Sequence, residues 1–318
     1  MCDPELTSVT ERYMKLKDDT TRVEYVWINF FNNFWRFISK VRNVDETNHP
    51  CPLASICAKI PKWTYEDEDS SGILKPKVNY KDPFRPKHGY VILCETLSMN
   101  REPTIHTKNR RECDSKTHAT RLDGHYFHIE QEFHFHEYMD VEITAARKDT
   151  VRKILECFYK ACNYAGLCIG YFDLNNHSCF YYMCGPNNAV RVSDELWMSR
   201  FIMQRVAEEF HLTVNFGPRI PSGFANTRYF FSTYNMREGT DEEATTTANF
   251  WMNRLENRFI PMLRNAVTYD HVEGPIPTFS LIDQGKTMNC VVHIRTDIDP
   301  YVVCKTILGA ASSIDFAG

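Results

Sequence analysis

The sequence predicts an α+β fold, with helices and mainly antiparallel strands mixed along one chain. Two patterns predict it. Residues 128–136, HIEQEFHFH, set His128, Glu130, Glu132, His134 and His136 at every second position, with Ile129, Gln131, Phe133 and Phe135 between them. A period of two belongs to a strand and sends the polar five to one face. In contrast, apolar residues recur at helical spacing over 149–166, 193–210 and about 241–260. The chain has 318 residues, 43% of them hydrophobic and 13% aromatic. That is enough apolar material for a substantial core in one large or two ordinary domains.

EYVWIN (24–29) has the aromatic and β-branched residues of a strand. KVNYKDPFRPKHGYVILCE (77–95) reads as a Pro-rich loop leading into the strand YVILCE, so the first hundred residues are expected to be sheet-rich. REPTIHTKNRRECDSKTHATR (101–121) is basic, and its default reading is a solvated connection. DTVRKILECFYKACNYAG (149–166) is a helix: Asp149 caps it, Val151, Ile154, Leu155, Phe158, Cys162 and Ala165 share a face, and Gly166 ends it. LCIGYFDL (167–174) and CFYYMC (179–184) read as strands. SDELWMSRFIMQRVAEEF (193–210) is a second helix, with Ser193 as cap and Asp194 and Glu195 suited to the first turn. The third spaces Trp251, Leu255 and Phe259 four apart and is expected to stop near Pro261.

The net charge is −4 and the pI about 6.3, which gives no electrostatic footprint for nucleic acid or membrane. The N-terminal MCDPELTSVTERYMK lacks the apolar stretch of a signal peptide, and no apolar run reaches the roughly 18 residues of a membrane span. A cytoplasmic location is expected. Twelve cysteines include no CxxC pair. Zinc-ribbon and thioredoxin motifs are therefore absent, and the cysteines read as reduced, mostly buried small hydrophobes.

KIPKWTY (59–65), KDPFRPKHGYVILCE, HIEQEF, YKACNYAG (159–166), GPNNAVRVSDELWMSRFIMQRVAEEF (185–210), FSTYNMRE (231–238) and DIDPYVV (297–303) follow one another in a specific order. In that order the chain resembles the glutamine synthetase family in its shorter eukaryotic form, over roughly residues 20–305. The resemblance implies a small β-grasp-like domain over 20–104 and a catalytic-type domain with a curved antiparallel sheet over 105–318. It also implies a chemistry: ATP-dependent joining of glutamate and ammonia through a γ-glutamyl phosphate, with Mg²⁺ or Mn²⁺ held by five glutamates and one histidine.

Glu130 and Glu132 stand where the family's E-Q-E strand supplies two of those ligands. The other four positions differ. Tyr181 replaces the glutamate of W-E-F-Q-I-G-P, no carboxylate fits near Leu174 or Asn175, and Arg228 replaces the histidine of G-x-H-x-N-x-S-T. HIRT runs almost directly into DIDPYVV, without the loop that carries the last glutamate. The D-G-S-S-T loop reads EDEDS (66–70), and the phosphate-steadying arginine run is reduced to GKTMNCVVHIR (285–295), with Lys286 and Arg295 as remnants. The resemblance therefore points to a diverged, catalytically inactive member, a pseudoenzyme with no catalytic or cofactor-binding residues. Glu130, Glu132, His134 and His136 form a residual metal-ligating row.

That row is expected to be a polar strand face lining a former cavity. The sharper reading is a transition-metal site completed from another strand by a residue such as His177. Tyr181, Tyr182, Phe230 and Phe231 read as packing rather than as a new ligand pocket. Three functions remain open: a pseudoenzyme with a structural or interaction role, retained ligase activity requiring ATP and Mg²⁺ or Mn²⁺, or a metal or small-ligand sensor. The expected partner is a second copy or an active glutamine synthetase relative. Arg228 and the basic 101–121 run are candidates to neutralise the EDEDS carboxylates at a salt-sensitive seam between subunits.

Overall fold

Two antiparallel-rich sheets are built around a central helix. The computed structural model describes residues 20–31, 34–44, 60–66, 70–85, 89–120, 125–137, 141–142, 148–173, 180–217, 227–233, 241–266, 277–283, 288–295 and 297–311. The first sheet holds β1 (Thr21–Phe31), β2 (Phe34–Val44), β3 (Trp63–Glu66), β4 (Ser71–Lys81) and β5 (Gly89–Leu97) in the order β2-β1-β5-β4-β3, with only β1 and β5 parallel. Along β1, Val23, Tyr25 and Trp27 pack into an outer cluster with Tyr65 and Leu74, while Val26 and Ile28 turn to the main core. β5 is buried on both faces, Ile92 and Cys94 outward and Val91 and Leu93 inward. YVILCE is continuously apolar for that reason.

The loop read as Pro-rich is short, because KVNYK belongs to β4. Buried Asp82 closes the turn: its Oδ1 accepts from the backbone N–H of Phe84 at 2.8 Å and of Arg85 at 3.2 Å, and its Oδ2 accepts from Arg85 Nε at 2.6 Å. A Cβ at position 89 would come within 2.7 Å of the Asp82 Cβ, so this close approach needs Gly89.

The basic run is not a solvated connection. Most of it is helix α1 (Ile105–Ala119), with His106, Thr107, Asn109, Arg110 and Cys113 buried. Arg110 donates Nε and Nη2 to Asp194 at 2.9 and 2.7 Å. Asn109 Nδ2 donates to Asp299 at 2.9 Å, and His106 Nδ1 lies 3.2 Å from the same carboxylate. Its inner face is polar, so no apolar period marked it.

The second sheet contains β6 (His125–Glu137), β7 (Val141–Glu142), β8 (Ile169–Asp173), β9 (Phe180–Asn187), β10 (Leu212–Asn215), β11 (Thr227–Thr233), β12 (Thr278–Asp283) and β13 (Met288–Ile294). The path is β12-β13-β11-β6-β9-β8, with β7 and β10 also on β6, and every pairing is antiparallel. Register shifts at Phe127/Ile129 and Ile169/Tyr171 go with its curvature. Helix α2 (Lys148–Ala165) buries Val151, Ile154, Leu155, Phe158, Cys162 and Ala165, and Gly166 ends it at φ +90°. Asp149 lies inside its first turn.

Helix α3 (Ala189–Glu209) starts earlier than its apolar period implies. Asn188 is the cap, its side chain accepting from Arg191 N at 2.9 Å. Ser193 is an interior residue whose hydroxyl donates to the Ala189 carbonyl at 2.8 Å. Helix α4 (Asp241–Ala266) continues through Pro261. Leu263, beyond the proline, is buried against the core, so the helix continues past a residue that costs a helix interior roughly 3 kcal/mol. Helix α5 (Pro300–Ala311) closes the core. α3 is buried almost throughout, between the sheets: Trp197 meets Trp35 and Phe37 of β2 edge-on, both at 5.7 Å between ring centroids. Trp35 Nε1 also donates to the Asp297 carbonyl at 2.7 Å. Among the described cysteines, Cys94, Cys113, Cys162, Cys184, Cys290 and Cys304 are buried, and Cys157 and Cys168 exposed.

Candidate functional site: a polar face on the second sheet

The alternation read in residues 128–136 is realised in β6. Phe127, Ile129, Phe133 and Phe135 enter the main core. Gln131 points the same way and accepts from Arg200 Nε of α3 at 3.0 Å. His128, Glu130, Glu132, His134 and His136 therefore line the opposite face. Neighbouring strands put specific residues opposite them: Arg228 of β11 pairs with Glu130, Tyr181 of β9 with Glu132, and His293 of β13 with Arg228.

Glu130 is 4% exposed. Its Oε1 forms an ion pair with Arg228 Nη2, and its Oε2 accepts from the Tyr171 hydroxyl of β8. The Arg228 guanidinium lies over the Tyr181 ring, 5.6 Å from the centroid. Glu132 Oε1 is 3.6 Å from His134 Nε2. On the far side, Ser280 Oγ and His293 Nε2 are 3.1 Å apart. Burial pushes the pKa of His128 down, and burial followed by the nearby Arg228 charge does the same to His293. Burial also lowers that of Arg228, but guanidinium acidity is so weak that the group stays charged.

These residues do not fit a divalent cation. Arg228 holds five donors and no acceptor, and it occupies the carboxylate that would ligate. Alternate strand side chains stand about 6.5–7 Å apart, so the His–Glu row cannot by itself surround one ion. Among the described residues no group of three or more His, Cys, Asp or Glu gathers to hold a metal. His177, Leu174, Asn175, Lys286 and Asp67 to Asp69 lie outside the described residues.

Part of the basic 101–121 run is already paired within the fold, while Arg101, Lys108 and His118 stay exposed. Arg228 is engaged by Glu130, and Arg110 and Arg111 by Asp194 and Glu95. Tyr182 and Phe231 are fully buried and Phe230 is 5% exposed, as packing requires, whereas Tyr181 belongs to the polar face. Tyr171, Ser280 and His293 were not singled out from sequence. Tyr171 and Ser280 fall in no motif and His293 only in the reduced arginine run, so it is the cross-strand register that brings them to the polar face.

No family model matches the chain. It is 24% identical to the glutamine synthetase of Candida glabrata over an alignment covering 98% of this chain and 96% of the relative. It is 29% identical to that of Gallus gallus over 73% of this chain and 68% of the relative. A Drosophila melanogaster relative named glutamine synthetase 2 cytoplasmic is 26% identical over 67% of this chain. Among solved structures, Plasmodium falciparum glutamine synthetase superposes with a TM-score of 0.64 at 13% identity, covering 96% of this chain and 74% of that one. The architecture is thus the glutamine synthetase fold. Relatives of that name match most of its length at 24–29% identity, as fits a diverged member of the glutamine synthetase family.

Proposed function

We propose that this chain is a non-catalytic glutamine synthetase relative with a structural or interaction role, associating with its own copies or with an active relative. The observation that carries the reading is the Arg228–Glu130 pair, in which a side chain replaces a ligand and holds another. Supporting it, Tyr181 faces Glu132 where the resemblance expects a carboxylate. Only residues 295–299 separate β13 from α5, too few for the loop of the last expected glutamate. Arg295, a candidate remnant of the phosphate clamp, donates Nε to Asp297 at 3.0 Å. Phosphoryl transfer depends on electrostatic stabilisation, and loss of one well-placed group alone costs about 3–4 kcal/mol. A β-grasp-like first domain over 20–104, a second over 105–318 and a cytoplasmic location go with this reading. No described helix is long and apolar enough to cross a membrane.

Purified protein supplied with glutamate, ammonia, ATP and Mg²⁺ or Mn²⁺ is expected to form no glutamine above the blank. Steady turnover that Glu130→Ala abolishes would instead establish a retained ligase, and co-purifying metal would favour a sensor. Association is expected in light scattering at micromolar concentration, weaker at high salt, and altered by replacing Glu66, Asp67, Glu68 and Asp69 with Ser. A monomer at every salt level that captures no active relative overturns the interaction role.

A further inference from the structure

The polar face raises the question of what balances its charge. A carboxylate as buried as Glu130 needs a compensating cation, because an unpaired charge removed from water is expensive. Both oxygens of Glu130 are already committed, one to Arg228 and one to the Tyr171 hydroxyl. The cation is placed by the sheet itself, since Arg228 stands directly opposite Glu130 in the β6–β11 register. The Tyr181 ring supports its outer side. Glu132 has its own neighbour in His134 at 3.6 Å. Each acidic side chain of β6 on this face thus has a basic side chain beside it.

We propose that Arg228 is a resident counter-ion, a covalently attached cation that takes over the charge-balancing role of a divalent metal on this face. The second sheet then folds independently of Mg²⁺ and Mn²⁺. Loss of Arg228 alone turns the face into a divalent-cation site at Glu130 and Glu132. Hard cations of this kind bind through one or two carboxylates, with water completing the shell. The inference deepens the non-catalytic reading and rests on it.

The test is Mn²⁺ titration of the full chain, followed by the paramagnetic resonance of free Mn²⁺ and by the unfolding temperature. Wild type and Arg228→Lys are expected to take up no stoichiometric Mn²⁺ and to melt unchanged. Arg228→Ser is expected to bind Mn²⁺ stoichiometrically and melt higher with it, and to lose both responses when Glu130→Gln is added. Stoichiometric uptake by wild type overturns the proposal, as does an Arg228→Ser protein that binds no more than wild type. If Arg228→Ser does not fold, Arg228→His is read in the same way, and if neither folds the wild-type titration decides. Glutamine formation is assayed on the same samples. Turnover without bound Mn²⁺ would sink the non-catalytic reading alone, and Mn²⁺ uptake without turnover would sink this one alone.

Discussion

Buried charge in this protein is handled by crowding cations around single carboxylates. Glu95 is 2% exposed, yet it faces Arg111 at 2.8 Å, Arg110 at 3.6 Å, Lys75 at 3.8 Å and Lys77 at 3.9 Å. Burial works against its charge, but Arg111, Lys77 and Arg110 outweigh burial and hold its pKa below the ordinary value. A carboxylate depressed in the fold adds stability above its unfolded pKa, near 4.3 for Glu, and that stability disappears as pH falls through the folded value. Glu95→Gln is therefore expected to cost about 1.5–3 kcal/mol at neutral pH, the range for a hydrogen bond to a charged group, since the cations it leaves are part-exposed or, for Arg110, still held by Asp194. The gap to wild type should narrow as the pH drops below about 4.3. Urea titrations of both proteins at several pH values measure it, and a gap that stays constant with pH would contradict this account. Glu24 repeats the arrangement: it is 2% exposed, paired with Arg85, 3.1 Å from Arg205 of α3, and accepts from Ser39 Oγ at 2.7 Å. The D-P-F-R motif thus has a mechanical explanation, since Asp82 folds the turn that aims Arg85 at Glu24.

At the scale of elements, what the sequence reveals depends on how each surface is covered. α2 was legible because it has one apolar face and a glycine stop. β6 was legible because one of its faces is polar. β2 was not: Trp35 and Phe37 pack toward the main core while Ile38 and Val44 pack on the outer cluster, which erases the alternation of FWRFISKVRNV. α1 was hidden by its polar interior. The start of α3 is hard to place from sequence because Ala189, Val190 and Val192 of its first turn are buried while Arg191 is not, and Ser193 mimics a boundary. The cap therefore offers a comparison. Asn188→Ala should cost about 1 kcal/mol by leaving Arg191 N without its acceptor. Ser193→Ala should cost less, about 0.5 kcal/mol, because its hydroxyl doubles a helical carbonyl's bonding and otherwise makes only a weak contact with Cys304 Sγ at 3.5 Å. Chemical denaturation of the two variants decides, and the reverse order would return the cap to Ser193. In the candidate site, the Glu pair, Tyr181 and Arg228 were all readable as residue types. Their consequence was not, because an ion pair between residues 98 positions apart depends on strand register.

Across the whole molecule, the main core takes residues from both sheets: Val26, Ile28, Tyr80, Val91 and Leu93 from the first, and Ile129, Tyr182, Phe231 and Val292 from the second. No apolar boundary isolates one sheet from the other. The scattered buried thiols turn this into something countable over time. Cys94 lies in the first sheet, Cys113 in α1, Cys162 in α2, Cys184 in β9, Cys290 in β13 and Cys304 in α5. Burial pushes the last three up to about 12, so they hold almost no thiolate while folded. An alkylating reagent reaches such a sulfur only when its surroundings open, which makes each cysteine a local clock. Peptide mass spectrometry after timed iodoacetamide exposure is expected to show Cys157 and Cys168 marked early. The six buried clocks should then advance at one common rate, and Cys94 running well ahead of Cys290 would mean that the first sheet opens alone.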